Sequence, residues 1–180
     1  MNAQLERRAA LEIRALGERI IGHAVVFDSR SRDLGGFVEV IRPQAVDRSL
    51  GGDVVALYNH DAGAVLGRTP KTLQLRKDDR GLAFDLQPPG TQIGREALEL
   101  VGRGDVRGAS FGFTTVKDRW THESGVTIRE LLDIEIVEIS LTAIPVYTET
   151  DVAIARRSLQ AWQGKRQGQS VRWLRMKERV

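Results

Sequence analysis

Apolar and polar residues alternate over Leu11-Glu12-Ile13-Arg14-Ala15-Leu16, the period of a half-buried strand. A denser apolar run, Ile20 to Phe27, predicts a second and more buried strand. Asp28 to Gly36 is polar and Gly-rich and reads as a loop, and Phe37 to Ile41 reads as a strand. Pro43 then opens a short helix to Leu50, closed by Gly51-Gly52, since Pro suits the first helical turn. Val54 to Asn59 is a strand that delivers His60-Asp61 at its end. Thr72 to Arg76 and Leu82 to Leu86 flank Asp78-Asp79-Arg80-Gly81 and predict a hairpin. Thr91 is the expected N-cap of a helix to about Val101, with Ile93, Ala97, Leu98 and Val101 near helical spacing and Gly102 and Gly104 as stops. A long strand follows from Gly108 to about Trp120, then a turn at Glu123-Ser124-Gly125, then Val126 to Leu132 and Ile134 to Thr142. The last of these is strongly apolar and is expected to be central, with Pro145 ending it. Asp151 to Ala155 reads as a short strand, and Ser158 to Trp162 and Val171 to Met176 as helical pieces. The pattern predicts a β-rich α+β fold, a mostly antiparallel closed β-barrel or wrapped sheet surrounded by two or three helices.

Composition narrows the function classes. A chain of 180 residues with 41% hydrophobic and 28% charged content suits one domain with a real core. No apolar run approaches a membrane span, and the first residues lack an apolar signal core. The absence of cysteine excludes disulfides, thiolate zinc sites and cysteine nucleophiles and fits a reducing compartment. The net charge of +3 is unevenly placed: from Arg156 onward there are eight Lys or Arg against one acid. The chain therefore divides into a mildly acidic body, residues 1–155, and a basic arm, residues 156–180. Such an arm suits nucleic acid or an acidic partner, and equally a solvated segment or a helix docked on the acidic body.

The candidate chemistry centres on Gly108-Ala109-Ser110-Phe111-Gly112-Phe113. The string matches the G-x-S-x-G elbow of α/β-hydrolases, but that elbow needs a helix straight after the serine, and Thr114-Thr115-Val116 continues a strand. A serine hydroxyl needs a base, and the base needs a partner to hold its tautomer. Of three histidines, His23 lies in an apolar run and reads as a packed core residue, and His122 lies in a polar turn and reads as solvated. His60 ends a buried strand, where functional residues gather. Glu138 stands in the apolar strand Ile134 to Leu141, where a charge is expensive unless paired. Strict alternation would put Glu135, together with Asp133, on the opposite face from Glu138. Two other classes stay open at this point. One is a β-barrel binding module in which Ser110 marks a bend and His60 is packed. The other is a metal-dependent hydrolase using His60 and Asp61 with His23 or Glu138, although no H-E-x-x-H pair is present.

The order Asn59-His60-Asp61, Leu66-Gly67-Arg68, Asp79-Arg80-Gly81-Leu82, Gly108 to Phe113, and Val137-Glu138-Ile139-Ser140-Leu141-Thr142 with Ile144-Pro145 resembles the prohead proteases of tailed bacteriophages, from about Gly22 to Ala155. The resemblance implies a serine endopeptidase with a fold distantly similar to herpesvirus assemblin. It would act inside the immature capsid in the host cytoplasm, on the capsid precursor, on scaffold protein and on itself. It implies Ser110 as nucleophile, His60 as general base and Glu138 as third member, where assemblin relatives use a second histidine. Oxyanion donors would lie near Thr142 and Ala143. No metal or cofactor is implied. Expected partners are the precursor and scaffold, a homodimer as in assemblin relatives, no membrane, and nucleic acid only through the basic arm. That arm would suit a tether to acidic scaffold or a segment the enzyme removes from itself.

Overall fold

The computed structural model describes residues 4–10, 13–143, 153–154 and 156–165. In chain order the elements are β1 (Glu6–Ala10), β2 (Ile13–Leu16), β3 (Arg19–Val26), β4 (Val38–Ile41), a 3-10 helix (Pro43–Gly51), β5 (Val55–Tyr58), β6 (Asp61–Arg68), β7 (Leu73–Lys77), β8 (Gly81–Leu86), α1 (Gln92–Arg103), β9 (Gly108–Glu123) and β10 (Val126–Thr142). One sheet runs β1-β9-β10-β5-β6 with β4 also on β10; the other runs β2-β3-β8-β7. Both sheets contribute to a single core in which Phe111, Phe113, Ile136 and Ile139 of the first meet Ile20, Leu82, Phe84 and Leu86 of the second. The β-rich α+β class is as the pattern predicts. The closed barrel is not: among the described residues the strands form two separate ladders, with β1 and β6 ending one and β2 and β7 ending the other.

The long strand β10 organises the first sheet. The two expected strands at 126–132 and 134–142 are one element, whose antiparallel neighbour is β9. Its other edge is shared by two short parallel strands, β4 against Ile128–Leu131 and β5 against Glu138–Leu141. The 3-10 helix that joins β4 to β5 spans the gap between them. Its Ser49 hydroxyl donates to the Ile134 carbonyl at 3.3 Å and accepts the Ile136 N–H at 3.0 Å, so one buried side chain takes the place of a strand along that edge.

Residues 156–165 are helical, as are 153–154, where the alternation predicts a strand. Leu159 packs with Leu34 and Phe37, and Trp162 stacks on Trp120 at 5.6 Å between ring centroids. This small second core holds the first turns of the basic segment against the body. Val171 to Met176 lies outside the described residues.

β1 has no counterpart among the expected strands, which begin at Leu11, and Glu6-Arg7-Arg8 carries no apolar alternation. Glu6 and Arg8 in fact face inward, with Arg129 of β10 and Glu39 of β4, and all four are nearly inaccessible. Arg8 donates to Glu39 at 2.7 Å and to Glu6 at 2.9 Å. Arg129 donates to Glu6 at 2.7 Å, to Glu39 at 3.2 Å and to Asp118 at 2.8 Å. Burial raises the proton affinity of the Glu6 carboxyl, but Arg129 and Arg8 outweigh it, so the net shift is downward. Removing one member leaves a buried charge without its partner. Arg129→Met is expected to cost about 3–5 kcal/mol in urea unfolding; a loss under about 1 kcal/mol would show that the network does not hold β1 in place.

At the other end of β4, hydrogen bonds from Arg119 and, against the cost of burial, from Arg42 pull the Glu130 carboxyl from its ordinary 4.5 down to about 2. A carboxyl depressed on folding stabilises the protein above its unfolded pKa, and that stability is lost as pH falls through the folded value. Thermal stability is therefore expected to fall from pH 4.5 toward pH 2 more steeply in the parent than in Glu130→Gln. Parallel curves over that window would contradict the assignment.

Candidate active site

β5 and β6 are joined by a turn with only Asn59 and His60 between the paired residues Tyr58 and Asp61. Both turn residues have positive φ, 50° and 61°, the conformation of a type I′ hairpin turn. That turn suits Asn at its first central position and Gly at its second. His60 occupies the position where glycine fits best, a backbone conformation that persists only where its surroundings enforce it. The Asn59 N–H donates to the Leu141 carbonyl at 3.0 Å, and the His60 N–H donates to Ser140 Oγ at 3.2 Å. The turn is thus pinned to the end of β10.

Glu138 reaches the same place through an irregularity in β10. Ile136 pairs with Phe113 and Glu138 pairs with Gly112, so Val137 is an extra residue with no opposite number. A bulge of this kind reverses the in–out alternation beyond it. Before it, Ile134 and Ile136 face the core; after it, Ile139 and Leu141 do. Val137 is left 42% exposed. Glu138 and Ser140 consequently lie on the outer face, across from Gly112 and Ser110. This corrects the expectation from strict alternation that Glu135 and Glu138 face opposite ways: both are on the outer face, with Glu135 exposed and Glu138 buried. Asp133 lies further along, paired with Arg48.

The Glu138 carboxylate is held at both oxygens. Oε1 is 2.7 Å from His60 Nδ1, and Oε2 accepts the Ser140 hydroxyl at 2.6 Å. A carboxylate only accepts, so Nδ1 donates to it, and in the neutral imidazole the lone pair is then on Nε2. Arg7 Nε, buried and without a hydrogen-bond partner, stands 3.6 Å from Oε1. Gly112 makes room for the group: a Cβ there would stand 2.7 Å from Oε1 and 3.0 Å from Cγ of Glu138. Ser110, two residues before Gly112 on the same face of β9, is directly opposite Ser140. Its hydroxyl donates to the Arg8 carbonyl of β1 at 2.9 Å, not to the imidazole.

A family model described as caudovirus prohead serine protease matches residues 4–165. The chain belongs to this family. No match is found among curated proteins or among solved structures.

In this prohead protease family member, the remaining histidines stand apart from the His60–Glu138 pair. His23 is not a packed core residue as the apolar run suggests. It faces outward from β3, with Nε2 3.0 Å from Asp78 Oδ2. His122 is exposed and contacts Thr127 Oγ1 at 3.1 Å. Asp61 is exposed and accepts the Gly63 N–H at 2.8 Å. Of the set considered for a metal, His60 and Asp61 with His23 or Glu138, only His60 and Glu138 meet, and among the described residues no three such groups converge.

Sequence reasoning missed Ser140 and Arg7. Ser140 carried a readable signal, a small hydroxyl two residues beyond a strand carboxylate in an otherwise apolar run. Arg7 carried none, because its role depends on β1 pairing beside Gly112. Gly112→Ala is expected to displace the Glu138 carboxylate, so the downfield His60 Nδ1 proton resonance expected of the parent should vanish or move upfield. An unchanged resonance in the folded variant would mean that the carboxylate does not need the glycine's space.

Proposed function

We propose that the chain is a serine endopeptidase that cleaves the capsid precursor and scaffold, and itself, during prohead maturation. Ser110 acts as nucleophile, His60 as general base and Glu138 as the group that orients the imidazole. The observation that carries this reading is the 2.7 Å contact between His60 Nδ1 and Glu138 Oε1, which leaves Nε2 as the proton acceptor. Family membership over residues 4–165 supports the reaction class.

Residues directly opposite on antiparallel strands have Cβ atoms about 4.5–5.5 Å apart. Ser110 therefore lies beside Ser140, whose oxygen touches the His60 backbone. Rotation of Ser110 about χ1 to another staggered position releases the Arg8 carbonyl and turns the hydroxyl toward the imidazole. Ser110 Oγ attacks the scissile carbonyl carbon as Nε2 takes its proton. The C–N bond then breaks as Nε2 returns that proton to the leaving amine. Water, deprotonated by the same nitrogen, attacks the acyl carbon, and the C–Oγ bond breaks as Nε2 returns the proton to Ser110 Oγ. Glu138 stabilises the imidazolium formed in each half without itself accepting the proton. The family resemblance implies oxyanion donors near Thr142, the last residue of β10, and exposed Ala143 just beyond it. The expected setting is the immature capsid in the host cytoplasm.

A non-enzymatic binding module is the competing reading, and one variant separates the two. Ser110→Ala is expected to lower cleavage of capsid precursor by about 10⁴–10⁶-fold, with its melting temperature near the parent's. Precursor cleaved at the parental rate by the purified variant would remove Ser110 from the mechanism.

A further inference from the structure

A groove of about 530 Å³ lies away from the His60–Glu138 pair, on the outer face of the second sheet. Strand register assigns its surfaces. Arg14 of β2 lies opposite Ile21 of β3, Ile21 opposite Asp85 of β8, and Ala83 of β8 opposite Arg76 of β7. Ile21 and Ala83 form an aliphatic floor, and Leu16 stands beside it at 60% exposure. Arg14 rises on one side and Arg76 on the other, with Arg80 at the turn of the β7–β8 hairpin.

The charge of this groove is one-sided. Its lining carries three arginines and one carboxylate, Asp85, and Asp85 already accepts from Arg19 at 2.6 Å. The nearby Asp78 is also engaged, by His23 at 3.0 Å and by the backbone N–H groups of Arg80 and Gly81; its remaining contact, to Arg76 at 3.5 Å, leaves that guanidinium 74% exposed. Exposed guanidinium groups on both rims of an aliphatic floor fit carboxylates that flank an apolar side chain. Single-stranded nucleic acid is bound instead by aromatic stacking platforms along a basic track; of the lining residues with rings, Phe84 is buried in the core and His23 is held by Asp78.

We propose that this groove is a docking site for an acidic peptide segment bearing aliphatic side chains, presented by the protein substrate away from the bond to be cut. The candidate catalytic residues lie on the outer face of the first sheet and the groove on the outer face of the second. A ligand engaging both must therefore be a long or folded chain, and a short peptide spanning only the scissile bond would not reach the groove. The proposal goes beyond the protease reading, and its binding test does not depend on that reading.

The test uses the full chain and three labelled probes: a twelve-residue peptide alternating Glu with Leu and Val, the same peptide with Lys for Glu, and a twelve-nucleotide single-stranded DNA. Fluorescence anisotropy is expected to show the Glu peptide binding at least tenfold more tightly than the Lys peptide, and more weakly as salt rises. Arg14→Glu combined with Arg76→Glu should weaken the Glu peptide at least tenfold. Arg14→Gln with Arg76→Gln should weaken it less, which provides a milder pair if charge reversal impairs folding. Cleavage of a short peptide should be unchanged in either double variant, while KM for a protein precursor rises. Equal binding of the Glu and Lys peptides by the parent, undiminished binding by a folded double variant, or tighter binding of the DNA than of the Glu peptide would each overturn the proposal.

Discussion

A buried carboxylate held at both oxygens is the constraint on which the candidate site depends. Glu138 is 4% exposed, and an ionised group so placed persists only when its lone pairs are met. His60 Nδ1 meets one oxygen and Ser140 the other, with Arg7 close by. Ser140 also accepts the His60 backbone N–H. A single hydroxyl therefore ties the acid to the turn that carries the histidine, and the positive φ of His60 is maintained by contacts on both its backbone and its ring. The bulge at Val137 makes this arrangement available. Without it, Glu138 would continue the alternation of Ile134 and Ile136 and point into the core.

The opposite face of the same strands solves a second electrostatic problem. Glu6, Arg8, Glu39 and Arg129 are buried together, each opposed by charges of the other sign, with Arg8 also over the Phe113 ring at 5.4 Å and Arg129 over Trp120 at 5.5 Å. Such a network gives little net stability over an apolar core but is costly to break. Its consequence here is registration. It fixes β1 beside β9, so that Ala9 pairs with Ser110 and Arg7 with Gly112. The Arg8 carbonyl that accepts the Ser110 hydroxyl comes from the same strand. The position of the candidate nucleophile is thus coupled to ion pairs on the far side of the sheet.

Most elements were legible because their apolar periods are unambiguous: β3, β7, β8, α1, β9 and the apolar part of β10 all follow from pattern and turn residues. The misses share a physical cause. β1 was hidden because its inward residues are charged and become apolar in effect only once Arg129 and Glu39 meet them. β6 was hidden by Gly63 and Gly67; the second sits where a Cβ would stand 2.6 Å from Leu86 Cδ1, a packing requirement invisible locally. The closed barrel failed because β4 and β5 share one edge of β10 in parallel, a topology that short links do not announce. Ser110, His60 and Glu138 could be singled out from residue type and order. The bulge that gives Glu138 its direction could not, since alternation alone puts Glu135 on the other face.

A covalent probe reaches directly the proposed activation of the Ser110 hydroxyl by an imidazole that a buried glutamate orients. Peptide mapping by mass spectrometry after reaction with a fluorophosphonate should place the adduct on Ser110, and Glu138→Gln should slow its formation by about 10²–10⁴-fold. An adduct on Ser140 or another serine, or labelling of Ser110 at the parental rate in the folded glutamine variant, would contradict the account.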